Sequence, residues 1–231
     1  GMLTPFGNPQ NLYLFDHYHI PVGEFLSIML LPFALSTGLI LLCCLLIPRQ
    51  VLAVPQRELT LDKPRAIAYG LLFCLAVGMV LRAVPYPVGL AVIAAALTVM
   101  DPRALKSVDW GLLVTFAAFF VFSGNMARIQ PVRELFGRLL GHGVLPVSAL
   151  TCQVISNVPA AILLSQFTDR FRELLIGVNI GGAGTLIASL ASLITFREYT
   201  RRCPEQTGRF LGLFTLVSFG FLAILLAALS L

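Results

Sequence analysis

Two short polar stretches interrupt otherwise apolar segments of this chain, and both have the make-up of a ligand-binding break. The first is Ser156-Asn157-Val158-Pro159-Ala160. The second runs from Gly177-Val178-Asn179-Ile180-Gly181-Gly182 through Ala183-Gly184-Thr185 to Ser189. Proline removes a backbone donor and blocks the preceding helical turn, and a glycine cluster weakens a helix. In hydrocarbon, released backbone groups are tolerated only where protein buries them or a water-lined cavity meets them. Each stretch therefore predicts a helix broken near mid-membrane at a ligand. Half-helix N-termini attract anions, and unwound carbonyls coordinate cations. This chemistry suits binding and release, not bond cleavage. Glycine and serine in membrane helices also serve as plain packing positions. The proline break in a neighbouring segment and an internal repeat favour the ligand reading.

The elements that must position these residues are membrane helices. Of the 231 residues, 58% are hydrophobic and only 12% charged, with a mean hydropathy of +0.89. A soluble surface needs more charge than that. Uncharged or nearly uncharged spans are expected over 25–47, 66–84, 88–100, 110–123 and 210–231, with interrupted segments over 146–166 and 174–196. Val132, Leu135, Phe136, Leu139 and Leu140 recur at helical spacing opposite Arg133 and Arg138, predicting an amphipathic helix on the membrane surface. Met2 is not followed by the basic region of a signal peptide.

Charge gives the expected orientation. Loops 48–65, 101–109 and 197–209 hold ten of the sixteen Lys and Arg residues: Arg49, Arg57, Lys63, Arg65, Arg103, Lys106, Arg197, Arg201, Arg202 and Arg209. The positive-inside rule places these loops in the cytoplasm and the C-terminus outside, in a plasma-membrane protein. The net charge of +5 thus reflects topology, and no nucleic-acid partner is expected.

Placing Thr4 on Thr185 puts Gly1 on Gly182, Gly7 on Ala188, Asn8 on Ser189 and Asn11 on Ser192. Each threonine is followed by a short half-helix, a polar loop (16–23 or 197–209) and an uncharged span. The two loops are assigned to opposite sides, so the repeats are inverted, an arrangement typical of secondary transporters.

With Gly7-Asn8-Pro9-Gln10-Asn11 added to the two stretches, the motifs resemble the ion transporter superfamily of arsenical pumps, citrate transporters and divalent-anion/sodium symporters. The resemblance implies an all-α membrane protein: a multi-span bundle with inverted repeats, broken membrane helices and one re-entrant helical hairpin. It implies five regions. These are the second half of a first broken helix with its outer loop (1–23), scaffold-like spans (24–124) and an external surface helix (125–146). A transport region follows, with the hairpin and second broken helix (147–209), and then a last span (210–231).

By motif match, Thr4, Asn8, Ser156, Asn157 and Thr185 bind substrate. Ser156, Asn157, Asn179, Gly182, Thr185 and Ser189 bind a cation such as sodium in symporting members. Val158 stands where many divalent-anion symporters have threonine. Asn157 precedes Thr185 by 28 residues, so the matching asparagine of the first repeat falls before Gly1. The chain is thus expected to be the C-terminal portion of a transporter, partnered by a missing N-terminal half or by another copy in a homo-oligomer, within the lipid bilayer.

Rival chemistries find less support. Asp16-His17-Tyr18-His19 lacks a third spaced metal ligand, His142 stands alone between glycines, and Cys43, Cys44, Cys74, Cys152 and Cys203 form no metal spacing. No metal or cofactor is expected beyond a coupling ion, sodium or proton. Ser156 has no His or Lys partner within the spans, so no catalytic residue and no enzyme is expected. The spans carry no deep Asp or Glu, which favours small anions over cation exchange. The expected function is secondary active transport of small anions, by ion-coupled symport or efflux with elevator-like alternating access. A non-transporting structural or regulatory subunit is the alternative.

Overall fold

The computed structural model describes residues 1–48 and 62–230. Arg49 and Arg57 of the basic connector, and the last residue of the final span, lie outside the described residues. The elements in chain order are α1 (Pro9–His17), α2 (Val22–Leu46), α3 (Lys63–Val80), α4 (Tyr86–Met100), α5 (Pro102–Lys106) and α6 (Trp110–Met126). They continue with α7 (Gln130–Gly141), α8 (Val144–Ile155), α9 (Asn157–Leu164), α10 (Phe171–Ile180), α11 (Leu190–Arg202) and α12 (Thr207–Leu229). Single 3-10 turns at Leu186–Ala188 and Pro204–Gln206 complete the list, and the described residues contain no strand.

By length and composition, three described helices can cross a membrane: Val22–Leu46, Lys63–Val80 and Pro204–Leu229. At 25 residues, α2 is about 37 Å long, more than the hydrocarbon core requires. Its outward leucines, such as Leu45 at 82% exposure, and Leu216 of α12 at 74% form apolar surface that water does not support. The chain is an all-α integral membrane protein.

Two compact units emerge, 1–42 with 112–231, and 43–111. In the smaller unit, Asp62 caps α3 by accepting from the Arg65 backbone N–H at 3.4 Å. The Tyr69 hydroxyl donates to the Asp101 carboxylate at 2.9 Å, which holds Asp101 below its usual range. Met79 packs where a Cβ on Gly89 would stand.

In the larger unit the buried core lies among α1, α8, α9 and α10, with Leu14, Phe15, Leu164, Leu174 and Leu175 at 1% exposure or less. The approach of α10 to α8 is set by glycine. A Cβ on Gly177 would lie 2.6 Å from the Leu145 carbonyl oxygen, and one on Gly181 would lie 2.8 Å from the Ala149 Cα. Two glycines four residues apart thus let the backbones touch. Leu222 and Leu225 of α12 join Leu145, Ala149 and Ile180 in one apolar cluster. The C-terminal end of α1 is tied down by Tyr13, whose hydroxyl pairs with Ser165 Oγ at 2.7 Å, and by Tyr18, which donates to the Thr168 carbonyl at 2.6 Å. Arg172 forms an ion pair with Glu24 at 2.5 Å.

Several connectors are more helical than their charge suggests. The basic stretch 197–209 is largely helix, because α11 runs through Arg202 and α12 starts at Thr207. An Arg201–Glu198 pair at 3.1 Å and a Tyr199–Gln206 hydrogen bond at 2.9 Å support this turn, and Arg and Glu are good helix formers. Likewise Lys63 and Arg65 belong to α3, and the 101–109 connector contains α5. The amphipathic segment forms α7, bent 96° from α6, with Phe136 stacked on Phe167 at 4.8 Å.

Candidate functional site: a cavity where three helices begin

The Ser-Asn-x-Pro stretch folds into a one-residue break between two helices. Pro159 has no N–H to offer the Ile155 carbonyl, so the helix stops at Ile155 and restarts at Asn157, where proline's missing donor falls in a first turn that needs none. Ser156, between them, has φ +72° and ψ 158°, a backbone state that a non-glycine residue holds only under constraint. Its hydroxyl donates to the Ala188 carbonyl at 3.4 Å.

The glycine stretch opens a second break. Helix α10 ends at Ile180, Gly184 turns the chain at φ +117°, and Thr185 and Ser189 are extended. Ser189 then caps α11, accepting from the Ser192 N–H at 3.5 Å. Ahead of α1, residues 1–8 are likewise non-helical. Asn8 holds the N-cap position of α1 at φ −146°, ψ 149° without a side-chain cap bond, and Ser189 holds that of α11 at φ −146°, ψ 138°. The two residues that the repeat alignment superposes therefore enter their helices in the same backbone state.

All three helix starts meet one cavity of about 740 Å³, through Asn8-Pro9-Gln10, Ser156-Asn157-Val158 and Ser189-Leu190-Ala191. Asn179 and Gly182 also line it, and Phe116 and Phe119 of α6 supply apolar wall. No lining residue carries a formal charge. The field in the cavity comes from helix termini, whose N–H groups favour anions, and from amide and hydroxyl dipoles. Of the residues singled out in the sequence, Asn8, Ser156, Asn157, Asn179, Gly182 and Ser189 are thus brought together.

Thr4 and Thr185 stand outside the lining. The Thr185 N–H donates to Gln153 Oε1 at 2.8 Å, and its hydroxyl donates to the Gln153 carbonyl at 3.0 Å. The Thr4 carbonyl accepts from the Gly7 N–H at 3.1 Å. Gln10 and Thr115 also line the cavity without being among the site residues that the sequence points to, and two further polar residues, Gln153 and Asn11, bond to the breaks. Gln153 carries the one carboxamide of α8, with Thr151 and Ser156 the nearest polar side chains, and a group of that polarity in an apolar segment is the signal that could have found it. Asn11, fully buried, receives the Asn179 side-chain N–H at 2.6 Å. Away from the cavity, His142 is the C-cap of α7, and His17 stacks on Tyr13 at 5.2 Å. Burial, and secondarily the charge of His19, push His17 below the usual histidine range, while Asp16 pulls the other way.

Residues 1–169 match the family described as Citrate transporter. The chain belongs to that family. This agrees with the superfamily that its motifs resemble, and it makes the protein a member of a membrane transporter family. It is similar to an uncharacterized transporter of Methanocaldococcus jannaschii, 35% identical over 229 residues that cover 97% of this chain and 61% of that protein. It is also similar to the inner membrane protein YbiR of Escherichia coli K12, 32% identical over 204 residues that cover 85% of this chain and 54% of YbiR. The chain thus spans somewhat over half the length of these relatives. No solved structure matches it.

Proposed function

We propose that this citrate-transporter-family chain is the C-terminal part of a secondary active transporter for small anions. The observation that carries the reading is the convergence of three helix N-termini and the polar side chains of Asn8, Ser156, Asn157 and Asn179 on one uncharged cavity. Such a site holds an anion through dipoles without pairing it to a fixed cation, so binding remains reversible. Transport proceeds as ion-coupled symport or efflux, with elevator-like alternating access in which 147–209 carries the site together with the start of α1, and 24–124 acts as scaffold. Asn8 and Ser189, with their matched entries into α1 and α11, support an inverted repeat. The working protein sits in the plasma membrane with its C-terminus outside, completed by an N-terminal half or a second copy.

The test is uptake and efflux of a radiolabelled anion panel in proteoliposomes, with and without sodium and proton gradients. It compares this chain with a form extended to the length of its relatives. Flux of one anion by the extended form, lost in Asn157→Ala, is the expected outcome. No flux from folded protein of either length would sink the anion-transport reading and leave a structural or regulatory subunit.

A further inference from the structure

Unwound carbonyls are where a broken membrane helix holds a cation, yet at the second break two of those carbonyls already have a resident partner. Gln153 Nε2 lies 2.8 Å from the Gly181 carbonyl oxygen, 3.0 Å from that of Ala183 and 2.9 Å from that of Ala149. Oxygen ligands stand roughly 2.3–2.6 Å from a hard cation such as calcium, whereas these distances are those of N–H···O hydrogen bonds. The orientation of the amide is fixed by its surroundings. Its oxygen accepts the Thr185 N–H at 2.8 Å, so a flipped amide would face three acceptors with an acceptor and a donor with a donor.

The first break shows the same device. Asn11 Nδ2 lies 3.1 Å from the Met2 carbonyl oxygen, 3.2 Å from that of Gly1 and 3.4 Å from that of Thr4, while its oxygen accepts from Asn179. In the alignment of Thr4 on Thr185, Met2 falls on Ala183, and both carbonyls are claimed by a carboxamide nitrogen.

We infer that Gln153 and Asn11 are positioning residues whose amide N–H groups stand in for a coupling cation. They hold the two breaks in their binding shape without sodium at these carbonyls. This inference rests on the proposed transport site and narrows its energetics, since it leaves sodium no part in the coupling.

The experiment follows thermal unfolding of the purified 231-residue chain in detergent, titrated with sodium chloride or with choline chloride at equal ionic strength. Unaltered protein is expected to give coinciding curves. Gln153→Ala, which releases its carbonyls, is expected to melt about 5 °C lower and to recover with sodium but not with choline. A saturable, sodium-specific rise in the melting temperature of the unaltered protein would overturn the inference. So would a Gln153→Ala protein that is indifferent to sodium. If that variant does not fold, the unaltered protein still decides. The readout is melting and not flux, so a chain that moves no anion still tests this point separately from transport.

Discussion

The two breaks, residues 1–8 and 181–189, lead into their helices through N-caps of nearly identical backbone geometry, but they are secured from different places. The first is tied by Asn11, one turn into the helix it precedes. The second is tied by Gln153, which belongs to the facing hairpin helix α8. A break secured by its own helix keeps its shape when that helix shifts, even though α1 is itself bonded to α10 through Asn11 and Asn179. A break secured by a neighbour couples two elements, so α8 and 181–189 must shift together or lose several hydrogen bonds at once.

The largest expected effect attacks the coupled region at its base. Gly181→Val drives a side chain into the Ala149 backbone. It should cost about 3 kcal/mol, lowering the melting temperature by about 9 °C. Melting within a degree or two of the unaltered protein would show that α8 and α10 yield easily, and the contrast between the breaks would lose its basis.

A sharper probe compares the two threonines. Thr185→Val keeps the shape but removes the hydroxyl that donates to the Gln153 carbonyl, and should cost about 1 kcal/mol, or about 3 °C. Thr4→Val should cost less, because Thr4 takes part through its carbonyl. Equal losses in parallel melts would erase the distinction.

The smallest effect concerns the far ends of the two half-helices. The last turn of α1 carries His17, and that of α11 carries Arg201 and Arg202. Arginine keeps its charge throughout the working range, whereas His17 binds its proton less readily when folded. Between the lowered folded value and the unfolded value near 6.5, the unfolded chain holds more protons, so stability rises with pH across that window and is lost as pH falls through it. His17→Gln should flatten a melting series taken between mildly acidic and neutral pH. Arg201→Gln should leave the slope of that series unchanged.

Much of this arrangement is legible in the residues. Gly/Pro chemistry marks both breaks because backbone release is a local property of those residue types, and Ser156 and Gly184 stand where the chain turns. The partners of the breaks carry no such mark. Gln153 reaches Ala183 across 30 residues of sequence, a contact that follows from how closely α10 approaches α8 and leaves no local pattern. The 197–209 stretch misled for the opposite reason. Its density of charge resembles a loop, yet Glu198, Arg201 and Tyr199 spend that polarity on helix-supporting pairs.

The glycine contact between α8 and α10 also bears on how this sequence can change over time. Every alternative to Gly177 or Gly181 brings at least a Cβ into space already held by backbone atoms, so drift is closed at both positions. An outward residue such as Leu45 or Leu216 can exchange with other large apolar side chains at little steric cost. Among divergent descendants of this chain, those two small positions should outlast nearly all of the apolar surface around them.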